Sequence, residues 1–253
     1  MGRRKGGVPI HGWLIIDKVA GPTSAAVVGQ LRRLYNPAKI GHAGTLDPLA
    51  TGVLPLALGE ATKTISWVMD GTKEYDFTIR WGEARTTDDA EGRVTERSDA
   101  RPDDAAIQGV LADFTGEIMQ TPPVFSAIKI AGRRAYDLAR AGEAVELKPR
   151  KAHVEALELV GRPDLDHADF RVSSGKGVYM RSLARDMALK LGTFGHVSAI
   201  RRRACGPFDE TQAISLERLK AIGHSAPPAQ WLFPVLTALA DIPALALTET
   251  EAG

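Results

Sequence analysis

The amino-acid sequence predicts a protein of the α+β or mixed α/β class, because strand-like and helix-like segments interleave along the chain without a regular order. Its 253 residues are 44% hydrophobic and 25% charged, which is typical of a globular protein able to bury a sizeable core. No apolar run approaches the roughly 20 residues needed to cross a bilayer. The basic N-terminus has no apolar segment behind it and is not a secretory signal. Together with the single cysteine, Cys205, these features favour a cytoplasmic location.

The secondary structure can be predicted segment by segment. Alternating or short apolar runs predict strands at 13–17, 73–81, 92–97, 151–160, 168–174 and 196–208. Helical periodicity predicts helices at 25–35, 103–114, 179–192 and 215–223. Ser24 is placed to cap the first helix, and Asn36 followed by Pro37 ends it. The strand at 73–81 is expected to pair with the one at 92–97, across an acidic loop.

Basic and acidic residues are segregated, although the formal net charge is only +1. Basic runs lie at 3–5, 32–33, 132–134, 148–151 and 201–203. Acidic runs lie at 86–92, 101–104 and 164–169. Such segregation can give a positive face that suits phosphate backbones. The alternative, which the sequence leaves equally open, is that these runs are the solvated faces of helices and strands.

Several large functional classes find no support in the sequence. It contains no GxxxxGK[ST] loop, no GxGxxG after a predicted strand, no HExxH, no CxxC and no GxSxG. The acidic stretch at 164–169 suits a turn between strands better than a metal site, and Asp88 with Asp89 suits a polar loop better than a metal pair. Neither a metal nor a cofactor is therefore expected.

The stretch GHAGTLDPLATGVL, residues 41–54, contains one carboxylate, Asp47, among glycine and small apolar residues. The glycines allow tight turns and close approach of a ligand to the backbone, and Pro48 holds the acid in an extended conformation. Since the neighbours offer little charge, an ionised Asp47 needs a partner from elsewhere, preferably an arginine. The residues alone leave two interpretations open: a reactive carboxylate, or a structural aspartate in a proline turn.

This stretch resembles the GHxGTLDPLATGVL signature of the TruB family, the bacterial tRNA pseudouridine-55 synthases. Four more segments are similar to family motifs in the same order, and together they cover residues 10 to about 220. They are DKVAGPTS (17–24), TPPVFSAIKIAGRRAYDLAR (121–140), GKGVYMRSLARDM (175–187) and HVSAIRRRACGPF (196–208). The chain departs from these motifs at Val19, where the family usually has proline, and at Gly175 and Val178, where it has serine and threonine.

The resemblance implies a pseudouridine synthase fold, with a mixed, mainly antiparallel sheet flanked by helices and loops. A catalytic domain is expected at 10–223, with an inserted, thumb-like RNA-clamping segment at 121–150. Residues 224–253 are expected to form a C-terminal wrapping segment or the start of a truncated PUA-like domain. The implied reaction converts uridine to pseudouridine at position 55 in the T loop of tRNA. It is redox-neutral, needs no cofactor, and requires the target base to be flipped out.

The resemblance also assigns roles to four residues of the catalytic centre. Asp47 is the nucleophile, attacking either C1′ of the ribose or C6 of the base, and Arg181 pairs with it and keeps it ionised. Tyr75 stacks on the flipped base, and Tyr179 lies near that base and assists removal of the C5 proton. Without the resemblance, Arg181 would be interpreted as an exposed helix residue and Tyr75 as a half-buried strand residue.

Further residues are expected to contact the substrate. Ile200 forms an apolar floor beneath the base, where pattern alone would indicate only a core residue. His42 fills the gap left by the flipped base or bonds the displaced strand, although a lone histidine is more often structural. Lys18 supports the catalytic loop or contacts phosphate. The residues expected to close over the T loop or to contact phosphate are Lys129, Arg133, Arg134, Tyr136, Arg201 and Arg202.

The expected partner is the T arm of tRNA, bound by a monomer. Three rival functions are weighed against this one. A non-catalytic RNA-binding protein would share the basic surface but would not need Asp47. A glycosidase or nucleosidase would need a second carboxylate, and none occurs in the matching motifs. A guide-RNA-dependent synthase acting on ribosomal RNA is disfavoured by the compact chain, which has no long basic tail.

Overall fold

The structure is a computed structural model that describes residues 6–126, 128–130, 132–141, 143, 145–223, 227 and 229–240. Its strands are β1 (Gly12–Lys18), β2 (Ile40–His42), β3 (Thr51–Leu58), β4 (Lys73–Trp81), β5 (Glu83–Arg85), β6 (Val94–Arg97), β7 (Gly116–Gln120), β8 (Lys129–Ile130), β9 (Arg133–Arg134), β10 (Arg150–Asp164), β11 (His167–Ser174), β12 (Gly195–Cys205), β13 (Phe208–Asp209), β14 (Ile214–Ser215) and β15 (Leu232–Phe233). Its α-helices are α1 (Ser24–Tyr35), α2 (Ile65–Asp70), α3 (Asp104–Val110), α4 (Ala135–Arg140), α5 (Met180–Lys190) and α6 (Leu216–Ile222). Short 3-10 helices occur at Gly59–Thr64, Leu111–Phe114, Glu210–Gln212, Ala229–Trp231 and Val235–Leu239.

One large sheet forms the centre of the molecule. Its main strand order is β14-β1-β3-β12-β4-β11-β10-β7, with β2 added to β3, β13 to β12 and β15 to β1. The pairs β1/β14 and β3/β12 are parallel, and the other pairs of this sheet are antiparallel. The predicted α+β class and the mixed, mainly antiparallel sheet are therefore confirmed.

The core lies on both faces of this sheet. The inner face, which carries Phe77 and Ile79 of β4, packs against α1, α5 and α6 and forms the larger cluster. The opposite, outer face is covered beside β1 and β3 by a second cluster that includes Trp13 and Val68. Alternation along β1 sends Leu14 into the first cluster and Trp13 into the second, so this strand is buried on both sides.

Two local predictions are wrong. Strand β4 does not pair with residues 92–97; its neighbours are β11 and β12, whereas β6 pairs with β5 in a separate two-stranded sheet. Long-range pairing with distant strands prevails here over the local hairpin. The N-cap of α1 is Thr23, whose hydroxyl accepts a hydrogen bond from the Ala26 amide, and Ser24 is the first residue of the helix. Asn36 ends α1 in a left-handed conformation, as a C-cap residue does.

The segment at 121–150 contains a small hairpin of β8 and β9 followed by α4. At the other end of the chain, β15 pairs with β1, so part of the segment after residue 223 returns to the large sheet. Residues 241–253 lie outside the described part of the chain. The division into a catalytic domain, a thumb and a C-terminal segment stays a prediction.

Candidate active site

The loop that carries Asp47 lies between β2 and β3 and is held in place by hydrogen bonds from Lys18. This side chain is 1% exposed, and its ammonium donates to the carbonyls of Val19 and Pro48 at 3.0 Å and of Ala50 at 2.6 Å. Burial lowers the pKa of Lys18 to about 8, although the nearby Asp47 carboxylate opposes this shift. All three donors are directed to backbone carbonyls. These bonds are the ones that support of the loop requires, and the two predicted roles of Lys18 stay predictions.

Ser24 fixes the same loop from the side of α1. Its hydroxyl accepts a hydrogen bond from the Leu46 amide at 2.9 Å and lies 3.1 Å from the Leu46 carbonyl, to which it donates. The residue that the sequence assigned to helix capping thus bonds to the neighbour of Asp47. The loop is consequently attached to the first turn of α1.

Arg202 supports the loop from the inner face of β12, and its predicted contact with phosphate stays a prediction. The side chain is 1% exposed, and it donates from Nε to the Val53 carbonyl at 2.8 Å and from Nη2 to the Gly44 carbonyl at 3.1 Å. Gly52 has a φ of +95°, and a Cβ atom there would lie 2.2 Å from the Arg202 carbonyl oxygen. A glycine at 52 is therefore required where β3 and β12 approach each other.

Arg181, at the start of α5, pairs with Asp47. Its Nη2 donates to Asp47 Oδ1 at 3.1 Å, and its Nε lies 2.9 Å from Oδ2. The arginine side chain is 5% exposed and the aspartate side chain 34%, so the carboxylate faces open space while its partner is enclosed. Arg181 also donates to the carbonyls of Thr87 at 3.1 Å and Phe125 at 2.9 Å. These bonds hold the guanidinium in a single orientation.

The charge state of Asp47 reflects two opposing effects. Burial raises the pKa of the Asp47 carboxyl, whereas the Arg181 guanidinium lowers it, and the first effect is larger. A neighbouring carboxylate, Asp89, raises the Asp47 pKa further. A carboxylate in this position is less solvated than one in water, which favours nucleophilic reactivity once it is ionised.

Asp88 and Asp89 also contribute to this site, which their sequence pattern did not indicate. The loop after β5 folds onto α5, where Asp88 Oδ2 lies 2.8 Å from Arg185 Nη1 and Asp89 Oδ2 lies 3.8 Å from Arg181 Nη1. The Asp89 side chain is almost completely buried. Both residues belong to a loop, as predicted, but the residue pattern alone cannot show that the loop packs against a helix nearly 100 residues away.

The two predicted catalytic tyrosines belong to β4 and to the start of α5. Tyr75 is half-buried on the inner face of β4, directly across from Arg202 of β12. Tyr179 is half-buried and occupies the N-cap position of α5. Burial raises the pKa of both phenols, Arg202 opposes this for Tyr75, and Arg181 opposes it for Tyr179. The charge of Asp47 raises both pKa values, which places it near both side chains.

Ile200 and His42 flank the loop. Ile200 is buried on the inner face and borders a cavity of about 550 Å³, together with Leu49 and Thr51. This cavity extends over the outer face and is not lined by Asp47 or either catalytic tyrosine, so it is not the reaction centre. His42 is half-buried at the end of β2, and burial lowers the pKa of its imidazole, with Arg202 adding to the shift. Its predicted role at the flipped base stays a prediction.

The remaining predicted contacts belong to β12 and to the segment at 121–150. Arg201 points to the outer face and pairs with Asp17 and Glu210. Arg133 pairs with Glu143 at 2.9 Å, and the ring of Tyr136 lies 6.1 Å from that of Phe125 in a T-shaped arrangement. Lys129 and Arg134 belong to the β8–β9 hairpin, but their side chains lie outside the described part. The predicted RNA contacts of these residues stay predictions.

Comparison with protein families decides the relationship. Residues 32–180 match the model of the N-terminal domain of the TruB family pseudouridylate synthases, and residues 181–240 match the tRNA pseudouridylate synthase B C-terminal domain. The chain belongs to the TruB family of pseudouridylate synthases. The family and the enzyme class predicted from the sequence, an isomerase, are therefore confirmed.

Similar proteins and solved structures agree with this assignment. The tRNA pseudouridine synthase B of Rhodospirillum rubrum is 61% identical over 252 residues, which cover 100% of this chain and 82% of that protein. The protein of the same name from Gluconacetobacter diazotrophicus is 60% identical, with 99% and 82% covered. A chain in a Cbf5-Nop10-Gar1 complex aligns with a TM-score of 0.69 at 31% identity, covering 90% of this chain and 61% of that one.

Two further properties of the described residues concern membrane spans and metal ions. None of the helices among the described residues has the length and apolar character needed to span a bilayer. Within the same residues, no group of three or more histidine, cysteine, aspartate or glutamate side chains is arranged to hold a metal ion.

Proposed function

We propose that this protein isomerises uridine to pseudouridine at position 55 in the T loop of tRNA, with Asp47 as the nucleophile. The observation that carries the proposal is the partly exposed Asp47 carboxylate held by the enclosed Arg181 guanidinium, in a chain of the TruB family. The names of its relatives give tRNA as the substrate of those proteins. The matching motifs extend this expectation to the T loop.

The chemistry follows from a nucleophile that needs no cofactor. Asp47 forms a covalent bond either to C1′ of the ribose or to C6 of the base, and the N1–C1′ bond breaks. The freed base turns, a bond forms between C5 and C1′, the bond to Asp47 breaks, and the C5 proton is lost while N1 gains one. No electrons are exchanged with an outside group. Arg181 keeps Asp47 ionised and aimed at the substrate throughout.

The tyrosines complete the pocket. A uridine within a folded T arm must be flipped out of its stack, and the face of Tyr75 offers a surface on which the base stacks. Because burial raises the pKa of the Tyr179 phenol, this group is neutral near pH 7. Tyr179 therefore assists loss of the C5 proton as a relay rather than as a standing base. Ile200 supplies an apolar floor beside the loop.

The setting of this reaction is proposed to be the cytoplasm, with a monomer binding one T arm. The thumb at 121–150 closes over the RNA, and Lys129, Arg133, Arg134 and Tyr136 are its proposed contacts. A non-catalytic RNA-binding function remains the alternative. It is disfavoured because it gives no reason to hold a carboxylate against a buried arginine, at the cost of desolvating both.

The test is release of tritium from C5-labelled uridine in an unmodified tRNA transcript, with modified positions mapped afterwards. We expect wild type to release tritium from the T loop only and Asp47→Asn, which is isosteric, to be slower by roughly 10³-fold or more. Asp76→Asn is the matched control, because Asp76 lies on the outer face of β4 and pairs there with Arg171. An active Asp47→Asn variant contradicts the assigned nucleophile, and binding without tritium release by wild type supports the RNA-binding alternative.

A further inference from the structure

Gln120, the last residue of β7, makes two hydrogen bonds to the backbone of Tyr179. Its Oε1 accepts from the Tyr179 amide at 2.8 Å, and its Nε2 donates to the Tyr179 carbonyl at 3.1 Å. The Gln120 side chain reaches across 59 positions of sequence, and the residue is 3% exposed. The pair of bonds imitates the exchange between two strands, with a side-chain amide in place of a peptide group.

The position of Tyr179 makes these bonds consequential. Tyr179 is the N-cap of α5 and has an extended conformation with φ −107° and ψ 117°, and its own side chain makes no capping hydrogen bond to the helix. Its backbone orientation determines where the phenol points relative to Asp47 and to Arg181, which is two residues further on. Gln120 is the side chain that fixes this orientation from outside the helix.

The chemistry of the contact is specific for glutamine. Tyr179 presents one donor and one acceptor in line, and a side-chain amide offers the matching acceptor and donor at one end at every pH, whereas a carboxyl group does so only when protonated. Asparagine is shorter by one methylene group. An ionised glutamate would place a carboxylate oxygen against the Tyr179 carbonyl oxygen, and methionine has the length but neither a donor nor a comparable acceptor.

The next residue of the same segment binds the same helix without touching Tyr179. The Thr121 carbonyl accepts hydrogen bonds from Ser182 Oγ and from Arg185 Nη2, both at 2.8 Å. Ser182 is fully buried, and its removal breaks one bond between the two segments while Arg185 still satisfies the carbonyl. Ser182→Ala is therefore a matched control for the general attachment of this segment to α5.

We propose that Gln120 is a positioning residue for the reaction: through its two bonds to the backbone of Tyr179, it sets the Tyr179 phenol against the Asp47–Arg181 pair. This inference rests on the proposed function, since it takes Tyr179 to act on the substrate. It predicts a loss in the chemical step, with no equal loss in tRNA affinity.

The experiment measures single-turnover pseudouridine formation on C5-tritiated tRNA. The enzyme is in excess over the tRNA, its concentration is varied, and the series is repeated at several pH values between 5.5 and 8.5. The proteins are wild type, Gln120→Met, Gln120→Glu and Ser182→Ala. We expect Gln120→Met to lower the limiting rate constant by roughly 10- to 100-fold at every pH, as misplaced catalytic groups do. The enzyme concentration at half-maximal rate should stay within about threefold of wild type, and Ser182→Ala should keep its rate constant within about threefold.

The pH dependence of the Gln120→Glu rate tests the inference more sharply than the rate of Gln120→Met alone. A protonated glutamic acid can donate to the Tyr179 carbonyl while accepting from its amide, whereas the ionised form cannot. Burial beside a carbonyl oxygen raises the pKa of such a carboxyl. We therefore expect the rate of Gln120→Glu relative to wild type to rise as pH falls, and the relative rate of Gln120→Met to stay flat. A flat ratio for Gln120→Glu, or equal losses for Gln120→Met and Ser182→Ala, overturns the inference.

A second measurement separates this inference from the proposed function. The protein is labelled with 3-fluorotyrosine, and the ¹⁹F resonance of Tyr179 is assigned from its absence in Tyr179→Phe. Gln120→Met should shift this resonance and Ser182→Ala should leave it in place, whether or not the enzyme turns over. An unmoved Tyr179 resonance contradicts the positioning role. An inactive wild type with a shifted resonance contradicts the proposed function alone.

Discussion

Arg202 and its two neighbours in β12, Arg201 and Arg203, carry the same charge in consecutive positions, yet the strand sends them to opposite faces of the sheet. Arg202 lies on the inner face, is fully buried, and bonds to the carbonyls of Gly44, in the loop that carries Asp47, and of Val53, in β3. Arg201 and Arg203 lie on the outer face, partly exposed, and both pair with Glu210. A run of basic residues in a strand is therefore two sets of residues with two functions.

The outer set belongs to a continuous chain of ion pairs. In spatial order its members are Asp17, Arg201, Glu210, Arg203, Asp76 and Arg171. Acids and bases alternate, so the chain carries no net charge, and solvent screens each pair. Among the described residues, Arg202 forms no ion pair with a carboxylate, and its charge is balanced only by carbonyl dipoles and the nearby Tyr75. The two faces should consequently respond very differently to the same substitution.

The largest effect is expected for Arg202→Met. It leaves the buried carbonyls of Val53 and Gly44 without their donor, and each such loss costs about 1–3 kcal/mol. We expect the free energy of unfolding, measured in urea, to fall by about 2–4 kcal/mol, with a slower reaction because the loop loses its support. Arg203→Met is the control on the outer face and should cost less than about 1 kcal/mol. Equal losses would contradict the distinction between the faces.

A smaller effect, whose direction can be predicted, is expected on the pH dependence of the reaction rate. Because the pKa of Asp47 is raised above its ordinary value of 3.8, the single-turnover rate should begin to fall at a higher pH than for an ordinary aspartate. Arg181 lowers this pKa and Asp89 raises it. Arg181→Met should therefore move the acid limb to higher pH, and Asp89→Asn should move it to lower pH. Asp76→Asn, on the outer face, should leave it unchanged, and a limb common to all variants contradicts the assignment to Asp47.

The smallest effect is expected for Arg201→Gln. Its stability change should stay below about 1 kcal/mol, since its pairs with Asp17 and Glu210 are partly exposed. If Arg201 also contacts a tRNA phosphate, as predicted from the sequence, the slope of log affinity against log salt should decrease by roughly 0.7 to 0.9. An unchanged slope shows that its charge serves only the ion-pair chain.

Local patterns gave much of the fold. The strand at 73–81 and the helix at 179–192 were predicted because apolar periodicity is set by which face is buried, and that information is carried within each segment. Strand partners are not local. Residues 92–97 are near 73–81 in sequence, but strand β4 pairs with β11 and β12 on its two edges. The N-cap was displaced by one residue because Thr23 and Ser24 are both suitable capping residues.

Prediction of the site from the sequence meets the same limit, because contacts between distant segments are not local either. Arg181 pairs with Asp47, and the catalytic roles that the family resemblance assigns to these two residues, to Tyr75 and to Tyr179 stay predictions. The burial of Arg202 was not anticipated because a cluster of charges was interpreted as surface, although its spacing from Ile200 by two residues was a signal that both face the core. Asp89 and Gln120 gave no such signal. Their importance comes from contacts with α5, which the residues around them do not encode.

The bonds between Ser24 and Leu46 have a consequence for how the protein opens. The Leu46 amide hydrogen belongs to a loop, yet it is bound to the first residue of a helix and is screened from solvent. Its exchange with deuterium therefore requires the helix start and the loop to separate, which joins them in one cooperative opening unit. If Asp47 is the nucleophile, as proposed, its loop is ordered before RNA arrives, and little of the binding energy is spent on arranging it.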